Sequence, residues 1–315
     1  MTLSAIYDLR YSPITFDFAV WLALVDCVRQ LADEQAIDLT IRADGYRKMT
    51  KREHGMDTDE KRWRLKSILL SCCDLLPTLR DVTVQRSSKD GVYDFPANYP
   101  KAYTPSYRPP YLAADVLRLH GLGAEPKVLA APAYAKNFVQ KGPYVTLTLR
   151  TSKHFPERNI DLRDWGKFAE HIMFRGHNII VVPDTEWVLM GGPRLPASME
   201  TYVAPMAALD QRIRLALYEG AEMNVCSSNG PAAMMFYSQA PVLQFDQFRG
   251  GVFNSDKWLA GNGFPAGGQF PWSTPKQRMT WTESSYASLC AEFDKVMDGP
   301  HIRETRGTGD VPERA

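Results

Sequence analysis

The chain has 315 residues, 44% of them hydrophobic and 23% charged, a balance that suits folded globular domains and excludes a disordered or fibrous chain. Lys and Arg total 37 against 36 Asp and Glu, so no overall field calls for nucleic acid, although a local basic patch stays open. No run reaches the roughly 18 uninterrupted apolar residues of a membrane span; the start lacks an export signal, and five cysteines with no C-x-x-C pair point to buried thiols in a reducing cytoplasm, at most peripheral to a membrane.

In chain order, Ala5–Leu9 reads as a strand broken by Ser12-Pro13. A helix is predicted from about Thr15 to Glu34, with Phe18, Trp21, Leu22, Val25, Val28 and Leu31 on one face. Ile37, Leu39 and Ile41 alternate as a second strand. Thr58-Asp59-Glu60 opens a helix that stops at Pro77, its acids placed where the helix dipole favours them. Val82–Val84 is a third strand, residues 87–110 read as a long loop, and Tyr111 to His120 as a short helix.

Gly123, Pro126, Pro132, Gly142 and Pro143 mark a linker, and the pattern then restarts. Tyr144–Leu149 is a strand, and Asp161 caps a helix ended by Gly176. Asn178–Val182 reads as a strand buried on both faces. A helix carries Leu209, Ile213 and Leu217 inward; Met223–Cys226 is a strand, Gly230 to Tyr237 a helix and Val242–Phe245 a strand. Residues 246–282 show little periodicity, and Thr282 to Asp298 is the closing helix. Strand–helix alternation implies parallel sheets with right-handed crossovers. The predicted fold is therefore α/β with two Rossmann-like, doubly wound parallel-sheet domains facing across a cleft. The expected divisions are residues 1–125, a linker over 126–143, residues 144–298 and a tail over 299–315.

Ligands of such sheets bind beyond the C-terminal ends of the strands, and three segments sit there. Ser227-Ser228-Asn229-Gly230-Pro231 joins a buried strand to a helix start, where free N–H groups, the dipole and two hydroxyls could hold an anion, or where an ordinary helix cap would suffice. Arg150, Lys153, His154 and Arg158 follow the first strand of the second half, either as diphosphate ligands or as a solvated basic loop. Asp184 follows the next strand, as an acceptor for ribose hydroxyls or as a turn former.

The run VTLTLR…RNIDLRDWGKFAEHIMFRGHNIIVVPDTE…NVCSSNGPAAMMFYSQAPVLQF resembles the donor-binding domain of GT-B-fold glycosyltransferases of the heptosyltransferase-like or fucosyltransferase-like kind. YDLRYSPITFDFAVWLA resembles the opening of their acceptor domain. The resemblance implies a metal-independent glycosyltransferase without a resident cofactor, using a nucleotide-diphosphate sugar as donor and a glycan, lipid-linked glycan or other hydroxyl as acceptor. It implies that Ser227, Ser228, Asn229 and Gly230 cradle the pyrophosphate and that Arg150 and Lys153 neutralise the departing diphosphate. The chain departs from the pattern at Tyr11-Ser12-Pro13-Ile14-Thr15, where a glycine-rich loop is expected. Asp17 is the candidate general base for an inverting transfer, with His154 and Asp246 in reserve.

Other signals are weaker. The six histidines form no metal-ligand spacing, and no G-x-S-x-G or P-loop run occurs. The basic residues between Arg42 and Lys66 could meet a phosphorylated lipid, a membrane surface or a nucleic acid, or simply be solvated. Trp258, Trp272 and Trp281 could stack on sugar rings in the cleft or pack the loop onto the body. A two-lobed binding protein without catalysis and a sugar-nucleotide epimerase are the alternative functions.

Overall fold

The computed structural model describes residues 1–43, 55–85, 102–103, 112–200, 202–247, 257, 260 and 267–299. Most of the long loop read over 87–110, the basic residues Arg47, Lys48, Lys51 and Arg52, Trp258 and the tail beyond 299 lie outside them. The first lobe runs β1 (Thr2–Asp8), α1 (Asp17–Leu31), β2 (Ala36–Arg42), α2 (Thr58–Arg64), β3 (Leu79–Gln85), β4 (Ala102–Tyr103) and α3 (Leu112–Gly121). Its sheet has the order β3-β2-β1-β4 and every neighbour is parallel. Strand β4 falls inside the expected loop; two residues are too few to show a period of two. Leu3, Ala5 and Tyr7 alternate inward along β1, and Tyr7 meets Phe18 and Trp21 of α1 edge-on at 4.6 and 5.0 Å.

Helix α2 does not run unbroken to Pro77. It passes into π-helical turns over Leu65–Leu70 and a last turn at Ser71–Cys73. Such widened turns re-aim side chains within a helix, and Trp63, Arg64 and Ile68 line the interlobe cavity from here.

The second lobe runs β5 (Tyr144–Thr148), α4 (Leu162–Phe174), β6 (Asn178–Val182), α5 (Thr185–Met190), α6 (Ala197–Glu200), α7 (Pro205–Leu209), α8 (Gln211–Gly220), β7 (Met223–Ser227), α9 (Ala232–Phe236), β8 (Val242–Phe245), β9 (Gln277–Met279) and α10 (Tyr286–Met297). The sheet order is β6-β5-β7-β8-β9, again all parallel. Strands β5, β7 and β8 are buried at every residue, as a sheet covered on both faces requires. The aperiodic stretch 246–282 therefore contains a strand, β9, which Gln277 anchors from within. Its amide nitrogen donates to the carbonyls of Met235, Ser238 and Ala240 at 2.8–2.9 Å.

The lobes are joined by more than a linker. Leu129 N–H donates to Tyr237 O, Ala130 N–H to Leu75 O and Ala131 N–H to Glu219 Oε1, which stitches the crossing segment to both sides. One hydrophobic core contains Trp21 and Leu24 of α1 together with Leu215 and Tyr218 of α8 and Met234 and Met235 of α9. The other face of the second sheet has its own core around Trp165, Phe168 and Phe293. Four of the five cysteines are buried and all are free thiols; burial raises Cys27 and Cys72 to about 12. No helix of the described residues is long and apolar enough to cross a membrane.

Candidate functional site

The C-terminal ends of strands from both sheets open into one interlobe cavity of about 310 Å³. Thr15, Phe16 and Asp17, after β1, form one wall with α2. Thr148 to Arg150, Ser152 and Arg158 after β5, Pro183 to Glu186 after β6, and Asn229 to Pro231 after β7 form the other, with Arg214 of α8. Six predicted site residues thus come together: Asp17, Arg150, Arg158, Asp184, Asn229 and Gly230.

Each is held by local structure. Thr15 donates its hydroxyl to Asp17 Oδ2 at 2.6 Å, where the carboxylate also faces the positive end of α1. Arg150, 8% exposed, donates to Asn159 Oδ1 and, at 2.7 Å, to the His154 carbonyl, so its guanidinium is fixed in place. Arg158 Nη2 donates to the Ser228 carbonyl at 2.9 Å, tying the β5 loop to the β7 bend. Asp184 caps α5 by accepting from Glu186 N–H at 3.0 Å, the turn-forming role, while still lining the cavity.

Four predicted residues are placed elsewhere. Lys153, 52% exposed, pairs with Glu186 at 3.4 Å rather than lining the cavity. His154 is also outside the lining; its N–H donates to Ser152 Oγ at 3.1 Å and its carbonyl holds Arg150. Ser227 is the last residue of β7, and sheet register turns its side chain into full burial. Ser228 contributes its carbonyl to Arg158 and not a hydroxyl to the cavity. The reserve base Asp246 accepts from Ser284 N–H and Oγ at 2.7 and 2.5 Å, which fixes the approach to α10 beside a second cavity.

The β7 bend also differs from the expected phosphate cradle. The helix after it begins at Ala232, two residues late, and spans five residues, too short for the summed dipole of a long helix. Asn229 Oδ1 accepts from Ala232 N–H at 3.1 Å, the cap role. Gly230 serves the interlobe contact: a Cβ there would stand 2.8 Å from Phe16 Cβ.

Sequence reasoning missed Arg64, Ser152, Glu186 and Arg214. Arg64 was visible only as one of many basic residues; it is buried and paired with Glu60 at 2.9 Å. Glu186, nearly buried, accepts from Ser152 Oγ at 3.0 Å. The apolar spacing of Leu209, Ile213 and Leu217 hides Arg214, but Leu209 ends α7 and Ile213 is only half-buried. The buried set is Gln211, Arg214, Leu215, Ala216, Leu217 and Tyr218, and the i, i+4 pair Arg214 and Tyr218 was the available signal. The tryptophans divide: Trp272 stacks on Phe270 at 4.7 Å and bonds the Phe236 carbonyl, packing onto the body, whereas Trp281 lines the second cavity.

Fold and site together describe an α/β protein of two parallel-sheet lobes with an arginine-lined cleft at the strand ends. No family model matches the sequence, and no curated protein matches it. Among solved structures, the chain is similar to a glycosyl transferase family 9 protein from Veillonella parvula, at 9% identity and a TM-score of 0.49, over 94% of this chain and 89% of that one. It is also similar to ADP-heptose LPS heptosyltransferase II of E. coli, at 10% identity and a TM-score of 0.49, over 94% and 98%. A third similar structure is that of a Listeria monocytogenes protein described as a UDP-N-acetylglucosamine 2-epimerase, at 11% identity and a TM-score of 0.37, over 95% and 88%.

Proposed function

We propose that the cleft binds a nucleotide-diphosphate sugar and that the protein transfers its glycosyl group to a hydroxyl acceptor. The observation that carries this reading is the opposition of Asp17, from the first lobe, to Arg150 and Arg158, from the second, across one cavity. Arginine forks match phosphoryl oxygens, and their charge is worth most in a confined site that excludes water. The Asp17 carboxylate takes the proton of the acceptor hydroxyl as its oxygen bonds to the anomeric carbon. The bond from that carbon to the diphosphate oxygen breaks, and the departing diphosphate keeps the electron pair beside the guanidinium groups. In this reading the guanidinium groups, not a metal, meet the leaving-group charge. Asp184 and Glu186, which line the cavity at the β6 end, accept from ribose hydroxyls in this reading.

The test is calorimetric titration with UDP, GDP, ADP, CMP and the corresponding sugar nucleotides, followed by an assay for donor hydrolysis and transfer. Arg150→Ala should weaken diphosphate binding by about 1.5–3 kcal/mol, the worth of a charged hydrogen bond. Asp17→Asn should keep binding and lose transfer by roughly 10²–10⁴-fold, the usual contribution of a general base. Response to free sugars alone would favour a binding protein, and donor isomerisation without transfer an epimerase.

A further inference from the structure

Arg214 lies on α8 at the floor of the cleft, 1% exposed. Its Nε donates to the Ala207 carbonyl at 2.6 Å, whereas Nη1 is buried and meets no acceptor among the described residues. Arg214 forms no ion pair among the described residues: Asp210 pairs with Arg212, and of the acids lining the same cavity Asp17 accepts from Thr15, Asp184 caps the Glu186 N–H, and Glu186 takes Ser152 and Lys153. The Phe16 ring from the opposite lobe sits 5.3 Å from the guanidinium carbon.

A guanidinium withdrawn from water without a counter-charge is destabilising, and a well-packed apolar side chain of similar volume is commonly preferred there. Its presence at the floor of a ligand-sized cavity calls for a partner that arrives from outside. The other cleft arginines point to the sign and chemistry of that partner. We propose that Arg214 is an anion receptor and that Nη1 takes a phosphoryl oxygen of the bound ligand. This rests on the reading of the cleft as a nucleotide-sugar site, and adds a binding residue from a helix, distinct from the loops at the strand ends. Phe16 covers one side of the guanidinium, so the anion meets it at the Nη1 edge. The phosphoryl group belongs either to the donor diphosphate or to a charged acceptor.

The experiment compares the full chain with Arg214→Met and Arg214→Lys, using inorganic pyrophosphate and inorganic phosphate as probes in calorimetry and thermal unfolding. A receptor predicts that ligand-free Arg214→Met is at least as stable as the parent while its pyrophosphate affinity falls roughly tenfold or more, with partial recovery in Arg214→Lys. Pyrophosphate displaced by a nucleoside diphosphate assigns the site to the donor tail; phosphate that still binds when the diphosphate saturates assigns it to the second substrate. Equal pyrophosphate affinity in the parent and Arg214→Met overturns the proposal. So does a destabilised Arg214→Met together with an Arg214→Lys that binds pyrophosphate as the parent does, since the arginine would then be a structural cation. A parent that binds pyrophosphate but no nucleoside diphosphate removes the nucleotide-sugar reading and leaves the Arg214 site standing. A parent that binds diphosphates, with Arg214→Met unaffected, does the reverse.

Discussion

Replacing Gly230 by Ala probes a point where the two lobes are in tight contact. Gly230 does not have a positive φ, so the constraint is space rather than backbone conformation. A Cβ would stand 2.8 Å from Phe16 Cβ and 2.9 Å from its Cδ2, well inside the ~3.5–4.0 Å optimum for carbon contacts. Phe16 Cβ is anchored to the backbone directly before α1, so a rotamer change does not relieve the overlap; the Thr15–Asp17 turn or the β7 bend must shift. Overpacking of this kind costs about 1–3 kcal/mol, against a gain of ~0.4–1 kcal/mol from a stiffer unfolded chain, so a net loss of about 1 kcal/mol, and at most about 2.6 kcal/mol, is expected. The assay is urea unfolding followed by tryptophan fluorescence, run as a double-mutant cycle with Phe16→Gly, which removes the obstructing atoms. In that background Gly230→Ala should become neutral or stabilising. An identical loss in both backgrounds would refute the steric argument and the interlobe contact with it.

Two further outcomes are expected elsewhere. Gln277→Leu should destabilise the chain by about 2–4 kcal/mol in thermal unfolding, because it removes the donor from the buried Ser238 and Ala240 carbonyls and one of the donors to Met235; a loss no larger than that of an exposed glutamine would contradict the clamp. Asp210 bonds Ser71 of the other lobe and Arg212. Burial pushes its pKa up, but the bonds from Arg212 and Ser71 outweigh this and hold it below 3.8. A depressed carboxylate stabilises above its unfolded pKa and loses that contribution as pH falls through the folded value. The stability gap between the parent and Asp210→Asn should therefore be flat near neutrality and narrow as pH drops below 3.8; a gap that stays constant into strong acid would contradict it.

By itself the sequence determined what depends on neighbours along the chain. Alternation in β2, the Asp161 cap of α4 and the apolar run of β6 are short-range patterns, and each formed where its residues demanded. The stripe of α1 is buried at Phe18, Trp21, Leu22 and Val25 but not at Leu31, which is exposed, while Ala19, Ala23, Leu24 and Cys27 are buried as well, because elements of both lobes pack on that helix. Because the strands are parallel, their order along the chain also told which loops gather at one edge, so Arg150, Asp184 and Asn229 could be placed together before any coordinates. Tertiary structure decided what depends on packing between distant segments. It turned Ser227 inward, gave Lys153 to Glu186, cut the helix after Gly230 to five residues and joined the lobes through a shared core. It also set Arg214 on the cleft floor beneath Phe16, because the buried face of a helix depends on which neighbours cover it, and periodicity cannot supply those neighbours when they come from another lobe.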